Sequence, residues 1–413
     1  MIRKLVALIL LIIPSLSNAQ KAGCTDPWAE NFHPKNTIYN HACEYKKKNL
    51  DCAQYASLPS ELKEISGLVY LHESFWAIND GGNEPVLYQL NYQCDSIIHR
   101  VRIANAKNKD WEELATDGNN LYIGDFGNNF GSRDRLIIYK VSVASLNDTV
   151  ATAQLIQFKY ADQKDFTKQK HKTNYDCEAM VYWNDTLHLF TKNWGDFKTR
   201  QYKVPSKSGT YSVMPSDSLY MGKMITGATV SKDGQTILLT AYDKKTNVDL
   251  RLLYGYQGSN FLSGYQRTFE LGNFLTIGQV ESITYIDSQN IFFSCENFKG
   301  LTSQRMYTIS LAPFVQRYPS TSYNGNIIDD LSISYTKPDE MLHVDVILNA
   351  VDTFDLFFYD IHGKQILEEK GQTFQSGYTQ LKYKFASPYL GKYFLVFTRK
   401  EKVVGKIPFD FYK

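Results

Sequence analysis

One pattern recurs five times along this chain at a spacing near fifty residues, and it limits the fold more than any other feature. The segments are ISGLVYLHESFWAIND from Ile65, EELATDGNNLYIGDF from Glu112, CEAMVYWNDTLHLFTK from Cys177, ITGATVSKDGQTILLTAYD from Ile225 and VESITYIDSQNIFFSCEN from Val280. Each runs from a small or polar residue into an apolar stretch, breaks at a polar turn (HES, DGNN, NDT, KDGQ, DSQN) and resumes as a second apolar run. A third run follows in each, centred on Tyr88, Tyr139, Tyr202, Tyr254 or Tyr307, at intervals of 51, 63, 52 and 53 residues. Units of this length, holding several short strands with a tight turn at a fixed place, describe propeller blades. An aromatic content of 14% suits strands as well. The expectation is an all-β fold, a five- or six-bladed β-propeller over about residues 51–320, followed by a small β-sandwich. A fourth strand is readable in some units, such as SIIHRVRI after the first. The last unit lacks one, and the segment before Ile65 would supply it, closing the ring and leaving no open sheet edge.

The repeat explains the stretch WEELATDGNNLYIGDFGNN from Trp111, which otherwise reads as a site. DGNN falls where the other units carry their first hairpin turn, and Asp, Gly and Asn tolerate the backbone angles needed there. No EF-hand loop can be drawn through it. What the turns do not explain is the start of the first strand, where the five units carry Ser66, Glu112, Glu178, Thr226 and Glu281. First strands line the channel of a propeller, so these positions converge in a ring near its mouth. Three carboxylates held close raise one another's pKa unless a cation or a basic side chain sits among them, and a hard cation such as calcium suits such oxygen ligands. The loops after the second strands add Asn79, Asp80, Asn83, Asp125, Asn128, Asn129, Lys192, Asn193, Asp243, Glu296 and Asn297 at the same level. Two readings compete with the metal. Channel-facing polar groups also bond to water or to neighbouring blades, and Lys192 could neutralise part of the ring.

Other features carry less chemistry. The polar insertion YADQKDFTKQKHKTNYD before Cys177 is either a solvated loop or a cover that brings His171 to the mouth. Trp111 is either a packing aromatic or a sugar-stacking surface. No H-x-x-x-H, H-E-x-x-H, G-x-S-x-G, G-x-G-x-x-G or P-loop pattern occurs, so zinc-protease, serine-hydrolase, nucleotide and flavin readings have no support. A formal charge of +2 on 413 residues gives no case for a nucleic-acid partner.

At the N-terminus, Arg3 and Lys4 precede the apolar run LVALILLII and a small-residue site ends at Ala19. This is the pattern of a secretory signal peptide over residues 1–19, too short for a bilayer span, so no membrane span is expected in the mature chain. An exported chain with six cysteines suits disulfides, although six allow 15 connectivities. Cys24 and Cys43 enclose a loop, within a module of residues 20–50, that is too short to bury a core, and a disulfide is the physical way to hold it. That stretch, GCTDPWAENFHPKNTIYNHACEY, resembles a short module common in secreted proteins of the Bacteroidetes: Gly23 to Pro27, Ala29, Asn31, Cys43 and Tyr45 match, while Asn40, His41 and Ala42 replace its acidic DGS.

The last stretch, residues 331–413, alternates apolar and polar residues as the strands of a sandwich do. Asp360, Gly363, Lys364, Leu390, Gly391 and Tyr393 resemble the motifs of the C-terminal sorting domain of type IX secretion, although Tyr335 and Pro338 bracket Thr-Lys where that family has Pro-Asn. The resemblance implies the secretion machinery as partner and a secreted or outer cell-surface location. EISGL, FWAINDGGNEPVLY, DWEELA and GDFGNN are similar to a group of secreted bacterial propellers, and more remotely to gluconolactonase- and paraoxonase-like propellers. The remoter likeness implies a calcium ion held by Glu112, Glu178 and Glu281 with Asn79 and Asp125. Ser66, Thr226, Asp80, Lys192 and Glu296 are the further candidates at the mouth. The function expected is a surface binding module for an unnamed ligand, with a calcium-dependent hydrolase of lactones, esters or phosphoesters as the alternative.

Overall fold

The structure is a computed structural model. It describes residues 21–311 and 328–411, except 27–28, 34–35, 47, 51, 288, 337–340, 349–350, 361–363, 376, 385–390 and 401. The expected signal peptide, residues 1–19, lies outside the described residues, as do Pro27, Pro338, Gly363 and Leu390 of the terminal motifs.

The chain divides into a unit of residues 1–45 and a unit of residues 46–413. In the first, Cys24 and Cys43 form a disulfide. Just beyond that loop, the Tyr45 hydroxyl donates back to Asp26 Oδ2 at 2.6 Å. The other four cysteines are free thiols, three of them buried. Cys94, Cys177 and Cys295 belong to separate apolar clusters and act there as small hydrophobes. Burial pushes the Cys94 thiol up to about 12.

The second unit contains five sheets of four antiparallel strands each, three of them extended by a parallel edge strand, whose innermost strands are Ile65–Leu71, Trp111–Thr116, Cys177–Trp183, Met224–Val230 and Gln279–Tyr285. Each innermost strand contacts the next, and the fifth contacts the first. The result is a five-bladed propeller with no sixth blade. Its fifth blade takes its outer strand from Ala53–Ser57, which pairs antiparallel with Arg305–Ser310. Apolar clusters lie between blades: Ile78, Leu87 and Val101 of the first pack with Leu114, Ile123 and Tyr139 of the second. Trp111 is completely buried there against Tyr139. It packs, and it offers no surface for a sugar.

The hairpin turns behave as their residues dictate. Asp117 Oδ1 accepts from the amides of Asn119 at 2.8 Å and Asn120 at 2.6 Å, and Gly118 takes φ +87°. The C-terminal strands form two sheets, one of Ile328–Thr336, Met341–Leu348 and Gly377–Lys384, the other of Asp352–Asp360, Gln365–Phe374, Gly391–Arg399 and Lys402–Phe411. Their shared core includes Val344, Val346, Leu356, Phe358, Leu395 and Phe397.

Candidate functional site: a ring of bulges at the channel mouth

All five ring residues occupy the same backbone irregularity. In the pairing of first with second strands the ladder skips Ser66, Glu112, Glu178, Thr226 and Glu281 in turn, each at a register shift. A β-bulge leaves its extra residue unpaired and re-aims its side chain. The five-fold repetition turns a local defect into a ring of redirected side chains.

The two hydroxyls have a structural role. Ser66 Oγ donates to Trp111 O of the next blade at 2.9 Å, and Thr226 Oγ1 donates to Val280 O at 2.7 Å. In each case the acceptor directly precedes the next blade's bulge. A carboxylate cannot donate, so the other three positions do something else.

They differ sharply in how their charge is met. Lys192 Nζ lies 2.8 Å from Glu178 Oε2 with both residues buried, and it faces the rings of Trp194 at 5.2 Å and Tyr242 at 5.1 Å. Burial works against the Lys192 charge, but Glu178, Tyr242, Glu281 and Asp176 outweigh it and hold its pKa above the usual range. Glu281 accepts from Gln279 Nε2; burial, opposed by Lys192, leaves its carboxyl raised to about 7. Glu112 is 6% exposed and has neither hydrogen bond nor ion pair among the described residues. Burial and then the charges of Glu178, Asp80, Asp110 and Asp176 push its pKa well up.

The structure groups Glu112 with residues outside the expected ligand set. Carboxylate oxygens of Asp80, Asp110 and Glu112 lie within 4.8 Å of one another. A Cβ on Gly127 would collide with the carboxylates of both Glu112 and Asp110, so that glycine walls the cluster with bare backbone. Asp125 turns away to Arg133, with Nη2 2.7 Å from its Oδ1. Asn79 donates to Glu61 O at 2.7 Å, and its Oδ1 has no hydrogen-bond partner. Glu296 is pushed up to about 9 by burial and by Glu281 and Asp80, and Asp110 to about 7 by burial and by Asp80 and Asp176. Sequence reasoning missed Asp110 and Asp176. Both stand two residues before a ring glutamate, and strand alternation puts residues i and i−2 on one side; that spacing was the available signal.

Glu113, beside Glu112, has the opposite environment. It is fully buried; its Oε1 accepts from the Leu114 amide at 2.9 Å and its Oε2 from the Ala228 amide at 3.1 Å, and the Leu68 backbone bonds to it as well. These donors belong to the inner strands of blades two, four and one. One side chain thus satisfies backbone amides of three blades' inner strands. The equivalent positions on the other blades are Gly67, Ala179, Gly227 and Ser282, all small. At Gly67 a Cβ would come 2.7 Å from Leu114 N.

The insertion before Cys177 is built into this face. Gln169 N donates to Phe130 O at 2.9 Å and His171 N to Asn129 O at 3.0 Å. The His171 ring stacks on Trp194 at 4.1 Å, and the Trp194 indole donates to Asp176 Oδ2 at 2.8 Å.

No protein-family model matches the chain, and no curated protein does. Among solved structures it is similar to the exo-β-1,3-galactanase of Phanerochaete chrysosporium, at 8% identity over 87% of this chain and 99% of that one, with a TM-score of 0.41. The β-propeller domain of Cps50 (Swd1) from Myceliophteria thermophila is 10% identical over 63% of this chain and all of that one, TM-score 0.33. A protein of unknown function from Bacteroides thetaiotaomicron is 12% identical over 63% of this chain and 73% of that one, TM-score 0.35.

Proposed function

We propose that the protein is an exported binding propeller that holds a hard divalent cation, calcium, at the mouth of its channel, on Asp80, Asp110 and Glu112. The observation that carries this reading is the buried Glu112 carboxylate, grouped with two other carboxylates within 4.8 Å and with no hydrogen bond or ion pair among the described residues. An uncompensated buried charge of this kind is costly unless a cation meets it. Oxygen ligands at that spacing suit calcium. Lys192 pairs with Glu178; its charge also acts on Asp80, but among the described residues it forms no ion pair with Asp80, Asp110 or Glu112. The remaining acidic side chains, Glu178, Glu281 and Glu296, deepen the field at the mouth without being needed as ligands.

Export rests on the leader-like N-terminus, on the disulfide of the N-terminal unit, and on the likeness of residues 331–413 to a type IX sorting domain. Two motif residues of that likeness, Asp360 and Tyr393, face each other across adjacent strands. The sorting domain would engage the secretion machinery and deliver the propeller to the outer surface or medium. The decisive experiment is the metal content of the purified chain by mass spectrometry. About one calcium per wild-type chain, lost in Glu112→Gln and Asp110→Asn variants that remain folded, is the expected result; no metal in the wild type after calcium dialysis would sink the reading.

A further inference from the structure

The loops that follow the second strands and those that precede the first strands all emerge on the side of the ring of bulges. Around the recessed acidic cluster they present the opposite charge. Lys170 sits over the Phe130 ring at 5.8 Å, Lys244 over Phe197 at 4.9 Å and Lys299 over Phe298 at 5.4 Å. These three pairs come from different loops, and all three lysines are exposed. Lys168 and Lys172 are exposed on the insertion, whose backbone is tied to Asn129 and Phe130. The same loops carry bare apolar surface: Phe130 is 45% exposed, Phe166 39%, Leu275 66% and Leu301 66%.

This layout selects among ligands. A basic rim repels a cationic partner and does nothing to draw in the metal. A polyanion is attracted to the rim but repelled by the bowl, unless a cation in the bowl reverses its sign. Exposed leucines next to lysines match acidic and apolar side chains of a polypeptide, in the mixed manner of protein interfaces; a glycan would call for open aromatic faces, and Trp194 has one face covered by His171. We propose that the mouth face docks an acidic, partly apolar segment of a partner protein, and that one carboxylate of that segment completes the coordination of the cation. The proposal rests on the cation reading above.

The test uses the full chain and three soluble probes: a random glutamate–tyrosine copolymer, polyglutamate and polygalacturonate, with binding followed by fluorescence anisotropy. In calcium the copolymer is expected to bind best, and EDTA to weaken it by roughly tenfold or more. Lys170→Glu/Lys299→Glu should weaken copolymer binding by about tenfold while its calcium content stays that of the wild type. Binding that ignores both EDTA and the charge reversal overturns the proposal. So does retention of polygalacturonate with no binding of the copolymer, which would make the face a glycan site. Calcium content read on the same samples separates the two failures: a loaded chain that ignores the copolymer overturns the docking proposal alone, and a chain without calcium overturns the site beneath it.

Discussion

Glu112 and Glu113 are chemically identical neighbours with opposite consequences, which makes them the sharpest test of the site. Glu113 meets amides of three inner strands, so Glu113→Ala strands buried N–H groups at about 1–3 kcal/mol each. Urea unfolding in EDTA should show that variant destabilised by about 3 kcal/mol or more. Glu112 has no bond to lose and several like charges to escape. Glu112→Gln should therefore leave the metal-free chain as stable as the wild type or about 1 kcal/mol more stable. A loss there comparable to that of Glu113→Ala would show that Glu112 has a structural partner. The sequence does not separate the two roles, because strand alternation says only that adjacent residues face different ways. The small residues at Gly67, Ala179, Gly227 and Ser282 were the readable counterpart of Glu113, visible only once the blades were superposed.

At the scale of the strand, the bulge is the unit of function. The hydrophobic pattern exposed the blades, their turns and the ring positions, because each of these has a period. The bulge recurs with them but leaves no hydropathy signature: it is a two-against-one count between paired strands. That is why the ring was legible, with Lys192 as a counter-charge to it, while its other partners were not. Asp125 went to Arg133, Glu178 to Lys192, and Glu112 to Asp80 and Asp110. The bulged strands also fix a pH dependence. Burial and nearby carboxylates push Glu281 up to about 7, with Asp80 and Asp176 adding to burial, and Glu296 up to about 9, with Glu281 and Asp80 adding to it. A raised folded pKa contributes stability that is present below the unfolded value and is lost as pH rises through the folded one. In EDTA the melting temperature should accordingly fall from about pH 4.5 to about pH 9, and calcium should offset the fall. A melting temperature that is flat or rising over that window would mean that these carboxyls are already ionised below it.

For the whole molecule, closure is the controlling feature. Ala53–Ser57 gives the fifth blade its outer strand, and Lys48–Asn49 lies parallel beside the outer strand of the fourth. A chain beginning at residue 59 should lose cooperative unfolding of the propeller and expose the Arg305–Ser310 edge, read as a lower, broader melt and concentration-dependent association; a melt identical to that of a chain beginning at residue 46 would show that the strand is dispensable. The missing fourth strand of the last repeat made this closure readable from sequence. The closing strand also sets a timetable. The edge made first must wait for the partner made last, so contact order is high and the ring stays open throughout synthesis. A nascent chain that cannot finish folding before its final blade emerges remains threadable, which would suit the export proposed above.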